Sequence, residues 1–421
     1  MKQIMLNPNL KVRKEYFGCI LLDLSNKEIN FYNKGAYDVF EKIKEPLPIS
    51  DFLDLFHPDD KNHAYDFMNN MVEANKILML ESQTNPDTAI FYFQEEQNFT
   101  NTHFVSPLAV EIEPTLKCSR NCTYCCYESN PFFDMEGELA VGEWIKVLEQ
   151  LKEDGIFSIK FTGGDPLMKK GLFEILKAAD DFGFLITMGS DLTLLKLEDV
   201  EFFKNMKNLL MVQTTLDGSN PEIANFHRGK GNFKKVIKGI EMLSEREVPF
   251  SVVTVVTSEN YHDIYNIGIL LAKYNPLGYD IGMLFNSGRA KEMLASSFPT
   301  EEQIREATTS YSKLVGDGIL YSINKAFTFN LEKLNVNQVS DYFLEQNCIQ
   351  KSPESQLRID PKGRCYVSIS LKEKLQDDVY LGSLKELNIK NIWNTHPMLK
   401  KLRDLSVNEN QFGKYFYINE I

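Results

Sequence analysis

The sequence predicts an α/β protein: an open, parallel barrel of six β/α units, with a small domain of a hairpin and three helices before it and a small α+β extension after it. Three patterns carry this reading. From about residue 108, six short apolar runs alternate with amphipathic helical patterns. Before them, a hairpin pattern leads into three helical patterns. After them, two strand-like runs flank the turn Pro361-Lys362-Gly363.

Residues 1–84 form the first predicted domain. The alternating runs Glu15 to Asp23 and Glu28 to Tyr32 flank the turn signal Ser25-Asn26-Lys27 and read as a hairpin. Helical patterns follow over Ala36 to Lys44, Ile49 to Phe56 and Asp60 to Lys76, the last with Asp59 or Asp60 as N-cap. Ile77 to Leu80 reads as a closing strand. Residues 85–107 are polar, with Asn85-Pro86-Asp87 and Glu95-Glu96-Gln97-Asn98, and read as a linker.

Residues 108–290 carry the barrel. Its predicted strands are Leu108 to Glu113, Phe157 to Phe161, Phe184 to Met188, Leu209 to Thr215, Phe250 to Val256 and Gly278 to Leu284. The helices between them are Gly142 to Asp154, Leu172 to Phe182, Leu197 to Met206, Phe233 to Glu245 and Ile267 to Tyr274. A helical crossover between successive strands makes them parallel. Ligands of such layouts sit at the C-terminal ends of the strands. Residues 291–421 form the predicted extension.

The chain has 421 residues, 43% of them hydrophobic, and a formal net charge of −13. That is enough apolar residue for a real core, and the acidic balance argues against a nucleic-acid partner. No apolar run reaches the ~18 residues of a membrane span, and the opening Met-Lys-Gln-Ile does not read as a signal peptide. The expected compartment is cytoplasmic, which suits reduced thiols.

The chemistry is concentrated in Cys118-Ser-Arg-Asn-Cys122-Thr-Tyr-Cys125, a C-x3-C-x2-C spacing. Three thiolates on one short loop suit an iron–sulfur cluster. A [4Fe–4S] cube normally takes four thiolates, so three leave one iron open to another ligand. Zinc would want a fourth ligand, and no second C-x2-C pair follows; His103 is not at finger spacing. Seven cysteines are too few for a disulfide scaffold. A second motif, Thr162-Gly163-Gly164-Asp165-Pro166, follows the second strand of the barrel. Its glycines let the backbone approach a ligand closely, and its carboxylate can accept hydrogen bonds from an ammonium group.

Together these motifs resemble the signature of the radical S-adenosylmethionine (SAM) superfamily. The resemblance implies a partial (β/α)6 barrel and a [4Fe–4S] cluster held by Cys118, Cys122 and Cys125. The open iron would chelate SAM, whose reductive cleavage gives a 5′-deoxyadenosyl radical that abstracts hydrogen. An external one-electron donor, a flavodoxin or ferredoxin, is implied. Gly163, Gly164, Asp165 and Pro166 resemble the family's GGEP motif, with Asp165 one methylene shorter than the commoner Glu. Thr187, in Thr187-Met188-Gly189, stands where the family often has Ser/Thr-Asn-Gly, and Met188 departs from that pattern. Thr214 precedes Thr215-Leu216-Asp217-Gly218, which is similar to the family's Ser-Leu/Ile-Asp-Gly. Arg228 lies in a segment resembling the family's Arg-Gly run, where arginine can meet the SAM carboxylate. Asp217 is expected to cap a turn, and His227 to be structural.

The flanking domains carry resemblances of their own. The hairpin and three helices, with Asn33 to Ile43, look like a RiPP recognition element, a winged-helix domain of enzymes that mature ribosomally made peptides. Such a domain would bind the leader of a precursor peptide as an added strand. Gly288-Arg289-Ala290, the hairpin Leu357 to Val367, Gly382-Ser383-Leu384 and Asn391-Ile392-Trp393 look like a SPASM or Twitch extension. The expected cluster ligands are mostly missing. Cys348 stands at the first position, the next expected position is Ser368, and Cys365 lies three residues early. The extension is therefore expected to keep its fold without an auxiliary cluster, or with a two-iron cluster completed by other ligands.

The function implied is a radical SAM enzyme that modifies a ribosomal precursor peptide, by epimerisation or by cross-link formation. The alternative is a radical SAM enzyme acting on another protein or a small molecule. Cys348 and Cys365 are the candidate hydrogen donors for epimerisation, with Cys126 a third, and Cys19 is structural.

Overall fold

The computed structural model describes residues 2–81, 87–92, 104–284, 286–320, 356–367 and 379–401. The chain divides into two units: one contains Met1–Val105, and the other holds the described residues from Ser106 onward.

The N-terminal unit contains β1 (Gln3–Leu6), β2 (Leu10–Glu15), β3 (Gly18–Asp23), β4 (Glu28–Asn33), α1 (Lys34–Lys42), β5 (Leu47–Pro48), α2 (Ile49–Leu53), α3 (Lys61–Glu73), β6 (Ile77–Leu80) and β7 (Ile90–Tyr92). The hairpin and the three helices occur as the pattern predicts. The run from Glu15 to Asp23, however, is two strands: it turns back at Tyr16 and Phe17, and Glu15 pairs with Gly18. Gly18, at φ +147°, supplies the backbone freedom at that corner. Part of the predicted linker is also ordered, since β7 pairs parallel with β2. A strand of three residues is too short to show an alternation of its own.

Two sheets result, with strand orders β5-β1-β6 and β4-β3-β2-β7. Tyr37 and Phe40 of α1, Phe52 of α2 and Met68 of α3 pack with Leu10, Val12, Cys19 and Leu21 into one core. Cys19 is fully buried there, as its structural reading requires. Asn33 stops β4 and starts α1, its Oδ1 accepting from the Ala36 N–H at 2.9 Å. Among the described residues β4 pairs with β3 and stands at the end of its sheet.

The second unit contains β8 (Ala109–Ile112), α4 (Val141–Glu153), β9 (Ser158–Phe161), α5 (Leu172–Asp181), β10 (Leu185–Gly189), α6 (Leu197–Asn205), β11 (Leu209–Thr215), α7 (Pro221–Arg228), α8 (Asn232–Glu245), β12 (Phe250–Val256), α9 (Ile264–Ala272), β13 (Gly278–Met283), α10 (Glu301–Gly316), β14 (Gln356–Ile359), β15 (Arg364–Val367), β16 (Tyr380–Ser383) and α11 (Ile389–Thr395). Strands β8 to β13 lie side by side in chain order and all pair in parallel. This is the predicted open six-unit sheet, and among the described residues it does not close. The helices cover it with 3.6-period apolar faces. α4 buries Trp144, Val147, Leu148 and Leu151, spaced as one stripe.

Two features go beyond the sequence reading. The C-terminal hairpin joins the main sheet: β14 pairs parallel with β8, and β15 and β16 continue from it, antiparallel. In addition, residues 221–228 are helical. Asn220 caps this helix, accepting from Glu222 and Ile223 N–H at 3.0 and 3.2 Å, and Pro221 fills its first position. Among the described residues, no helix is long and apolar enough to cross a membrane.

Candidate functional site

Parallel strands end on one edge of a sheet, so the segments that follow β8, β9, β10 and β11 come out along that edge in order. These segments carry the cysteine loop, Gly163 to Pro166, Thr187 to Asp191, and Thr214 to Gly218.

The two sequence motifs meet directly. Gly164 N donates to Thr115 O at 3.0 Å and Asp165 N to Lys117 O at 2.9 Å, so the glycine segment lies against the chain entering the cysteine loop. A Cβ on Gly164 would come within 2.2 Å of Lys117 O, and one on Gly163 (φ +109°) within 2.6 Å of Thr115 O. The sequence suggested close approach to a ligand; the structure shows these glycines approaching the protein's own backbone. Gly164→Ala is expected to push the two segments apart, costing about 1–3 kcal/mol and lowering iron incorporation. Thermal unfolding and iron analysis check this, and wild-type values for both would contradict it.

Cys118, Cys122 and Cys125 are free thiols, half-buried on the loop. Burial pushes the Cys118 thiol up to about 12, against the opposing hydrogen bond from Arg120 N–H at 3.4 Å. Burial raises Cys122 as well. Thiols in this state bind metal by giving up their protons. Among the described residues no three His, Cys, Asp or Glu side chains converge on a single ion. A cubane does not ask for that, because its thiolates go to different irons.

The non-cysteine residues hold the loop from several sides. Ser119 Oγ is 2.9 Å from Thr193 Oγ1, and Arg120 Nε donates to Asp191 Oδ2 at 3.2 Å. Thr123 is tied twice to His227: its N–H donates to the His227 carbonyl at 3.0 Å, and its Oγ1 lies 2.7 Å from Nδ1. His227 Nε2 is 2.9 Å from Glu259 Oε2. Both ring nitrogens are thus engaged, as a structural His227 requires. Tyr124 OH donates to Asp217 Oδ2. Arg289 donates from Nε to Cys122 O and from a terminal nitrogen to Ser129 O, both at 2.8 Å.

Asp165 is 1% exposed. Its Oδ1 accepts from Ser190 Oγ at 2.9 Å and Leu167 N–H at 3.1 Å, while Oδ2 is buried and meets no N–H or hydroxyl donor, the Asp191 carboxyl lying within hydrogen-bond reach of the Asp165 carboxyl. Burial, then the neighbouring Asp191, pushes this carboxyl well above the usual carboxylate range. Thr214 is also buried, at the end of β11, and its Oγ1 has no partner. Such orphaned acceptors are rare in a finished structure and mark places where a ligand's donors fit. Thr187 is buried in β10, and Pro166 is buried after Asp165.

Arg228 is buried, with Nε donating to Asp217 Oδ2 and its guanidinium 5.4 Å from the Tyr124 ring centre. Asp217 is more than a turn cap: it also accepts from Val255 N–H at 3.0 Å, joining the ends of β11 and β12 to the cysteine loop. A second buried pair stands at the end of β8. Both carboxylate oxygens of Glu113 accept from Arg358 on β14 at 3.2 Å. Neither pair shows in local sequence, because the partners lie 11 and 245 residues apart.

Of the candidate hydrogen donors, Cys365 is fully buried in β15, where burial holds its thiol protonated. A donor must touch its substrate, and this burial gives no such access. Cys126 is half-buried beside Cys125. Cys348 lies outside the described residues, as does Ser368.

Comparison with known proteins agrees with this geometry. A family model described as "Radical SAM superfamily" matches residues 112–270. The PqqA peptide cyclase of Bradyrhizobium diazoefficiens is 30% identical over 217 residues, 51% of this chain and 56% of that protein. The subtilosin biosynthesis protein AlbA of Bacillus subtilis is 23% identical over 289 residues, 67% of this chain and 62% of that protein. The chain thus spans somewhat over half the length of these relatives. Streptococcus suis SuiB, in a crystal structure with its precursor peptide SuiA, superposes with a TM-score of 0.67 at 15% identity, over 95% of this chain and 90% of that one. Residues 112–270 are thus similar to the radical SAM superfamily, whose members use a [4Fe–4S] cluster and SAM.

Proposed function

We propose that this protein is a radical SAM enzyme that modifies a ribosomally synthesised precursor peptide. One observation carries the choice of substrate. In the N-terminal unit, a cavity of about 370 Å³ lies beside β4, lined by Phe31, Tyr32, Ala36, Val39, Phe56 and Phe67, with Asp60 and His63 at its polar side. An apolar pocket beside a strand that ends its sheet among the described residues suits a peptide that packs along that strand and buries a side chain. The names of the relatives support the reading, since PqqA peptide cyclase and SuiB act on or bind peptides.

In this reading Cys118, Cys122 and Cys125 hold the cluster. Gly163, Gly164, Asp165 and Pro166, with Thr187 and Thr214, bind SAM, Asp165 Oδ2 taking its ammonium group. Arg228 offers its remaining N–H donors to the SAM carboxylate while Asp217 fixes its orientation. Once bound, the cluster and SAM supply the one-electron chemistry that removes a hydrogen atom from the peptide. The reaction that follows is epimerisation or formation of a cross-link.

Ala36→Glu tests the peptide site. Glutamate suits the third position of a helix, so α1 is expected to stay folded while the cavity gains a charge. Leader-peptide binding, read by fluorescence anisotropy, is expected to weaken about tenfold or more, given the ~1–3 kcal/mol cost of desolvating a polar group. SAM cleavage with dithionite is expected to be unchanged. Unaltered binding would move the peptide site elsewhere.

A further inference from the structure

The end of α7 and the start of α8 carry an unusual charge pattern. Between Glu222 and Glu241 there is no carboxylate, yet Arg228, Lys230, Lys234, Lys235 and Lys238 fall there, in a chain of net charge −13. The four lysines are exposed, and among the described residues none is in an ion pair. Lys234 and Lys235 sit in the first turn of α8, which has no acidic residue, where the helix dipole disfavours cations. Lys234 and Lys238 are also like charges one turn apart. The arrangement works against helix stability. It is not relieved by α6, whose Glu201 meets Arg246 at the other end of α8, at 3.0 Å.

Beside the lysines, Phe226 is 61% exposed. An exposed aromatic with a charged rim is the composition of a docking surface. Its position is also informative. Phe226 packs edge-on against His227, with ring centres 4.8 Å apart, and His227 holds Thr123, inside the Cys122-x2-Cys125 turn. One side chain therefore separates this face from the cysteine loop.

We propose that this face docks an acidic one-electron carrier protein of the flavodoxin or ferredoxin class; the inference rests on the radical SAM function proposed above. One electron leaves the carrier, which is oxidised by one, and enters the cluster held by the cysteine loop, which is reduced by one. No bond is made or broken in that step. The positive face steers an acidic carrier that the rest of the chain repels. A nucleic acid would have no need to bind next to the cluster loop.

The test compares two reductants on the full-length, cluster-loaded protein: reduced flavodoxin, and dithionite, which needs no docking. In the triple variant K234E/K235E/K238E, flavodoxin-driven SAM cleavage at low salt is expected to fall about tenfold or more, and its salt dependence to flatten. Dithionite-driven cleavage is expected to hold, and the triple lysine-to-arginine variant to keep the wild-type rate with both reductants. An unchanged flavodoxin-driven rate overturns the proposal. So does an equal loss with both reductants, or a loss confined to peptide turnover under dithionite, which would give the face to the precursor. If the wild type fails to cleave SAM even with dithionite, the radical SAM function itself falls.

Discussion

Replacing Asp217 with alanine is expected to destabilise the second unit by about 3–5 kcal/mol, the usual cost of leaving a buried charge without its partner. Arg228 is 8% exposed and Asp217 2%. Burial disfavours the guanidinium charge, but Asp217, Tyr124 and Cys122 together outweigh it and hold the Arg228 pKa above its ordinary value. Removing the carboxylate also orphans the Tyr124 hydroxyl and the Val255 N–H. Both losses fall on the cysteine loop and the neighbouring strand ends, so iron content and SAM affinity are expected to fall with stability. Replacing both partners with apolar residues, as in Asp217→Leu with Arg228→Met, is expected to recover most of the stability but not the SAM affinity. Urea unfolding and SAM titration separate the two effects. A loss below about 1 kcal/mol in Asp217→Ala would show that the pair is solvated, as surface pairs are.

The Glu113–Arg358 pair gives the second large effect, and a pH dependence. Burial lifts the Glu113 carboxyl from 4.5 to about 7 in the folded protein, with Arg358 and a hydrogen bond from Tyr127 pulling the other way. The folded value lies above the unfolded one, so the folded state holds the proton more tightly. The contribution to stability is therefore complete below the unfolded pKa and is lost as pH rises through about 7. Arg358→Met removes the compensating charge. It is expected to cost about 3–5 kcal/mol where Glu113 is ionised, and much less in mild acid, where the carboxyl takes up a proton. Denaturation midpoints of wild type and variant on either side of neutrality check this. The variant's deficit should widen with rising pH, and Glu113→Gln should flatten the wild-type trend. A deficit that narrows with rising pH would contradict it.

The chemistry-bearing part of the site was legible in sequence because it is local. Cys118, Cys122 and Cys125 sit on one loop, and Gly163 to Asp165 lie at one strand end, so spacing alone brings each group together. The strands from Leu209 to Thr215 and from Phe250 to Val256 could likewise be read to the residue, since buried parallel strands are continuous apolar runs bounded by polar turns. The supports of the site were not legible. Arg120 with Asp191, Arg358 with Glu113, and Arg289 with the carbonyl of Cys122 are separated by 71, 245 and 167 residues, and no periodicity links them. The hairpin 356–367 was readable from its turn, but its parallel pairing to β8 depends on a sheet edge formed elsewhere in the chain. Helix α7 could have been found from its Asn220-Pro221 start. The Arg-Gly segment lies at its far end.

The most direct test is mass spectrometry of a precursor peptide after reaction with the cluster-loaded protein, SAM and dithionite in deuterated water. The proposed function predicts a covalent change that depends on Cys118, Cys122 and Cys125: a single stably bound deuterium at each epimerised residue, or the loss of two hydrogens for each cross-link. A peptide left unchanged while SAM is cleaved would contradict peptide maturation and point to another protein or a small molecule as the substrate.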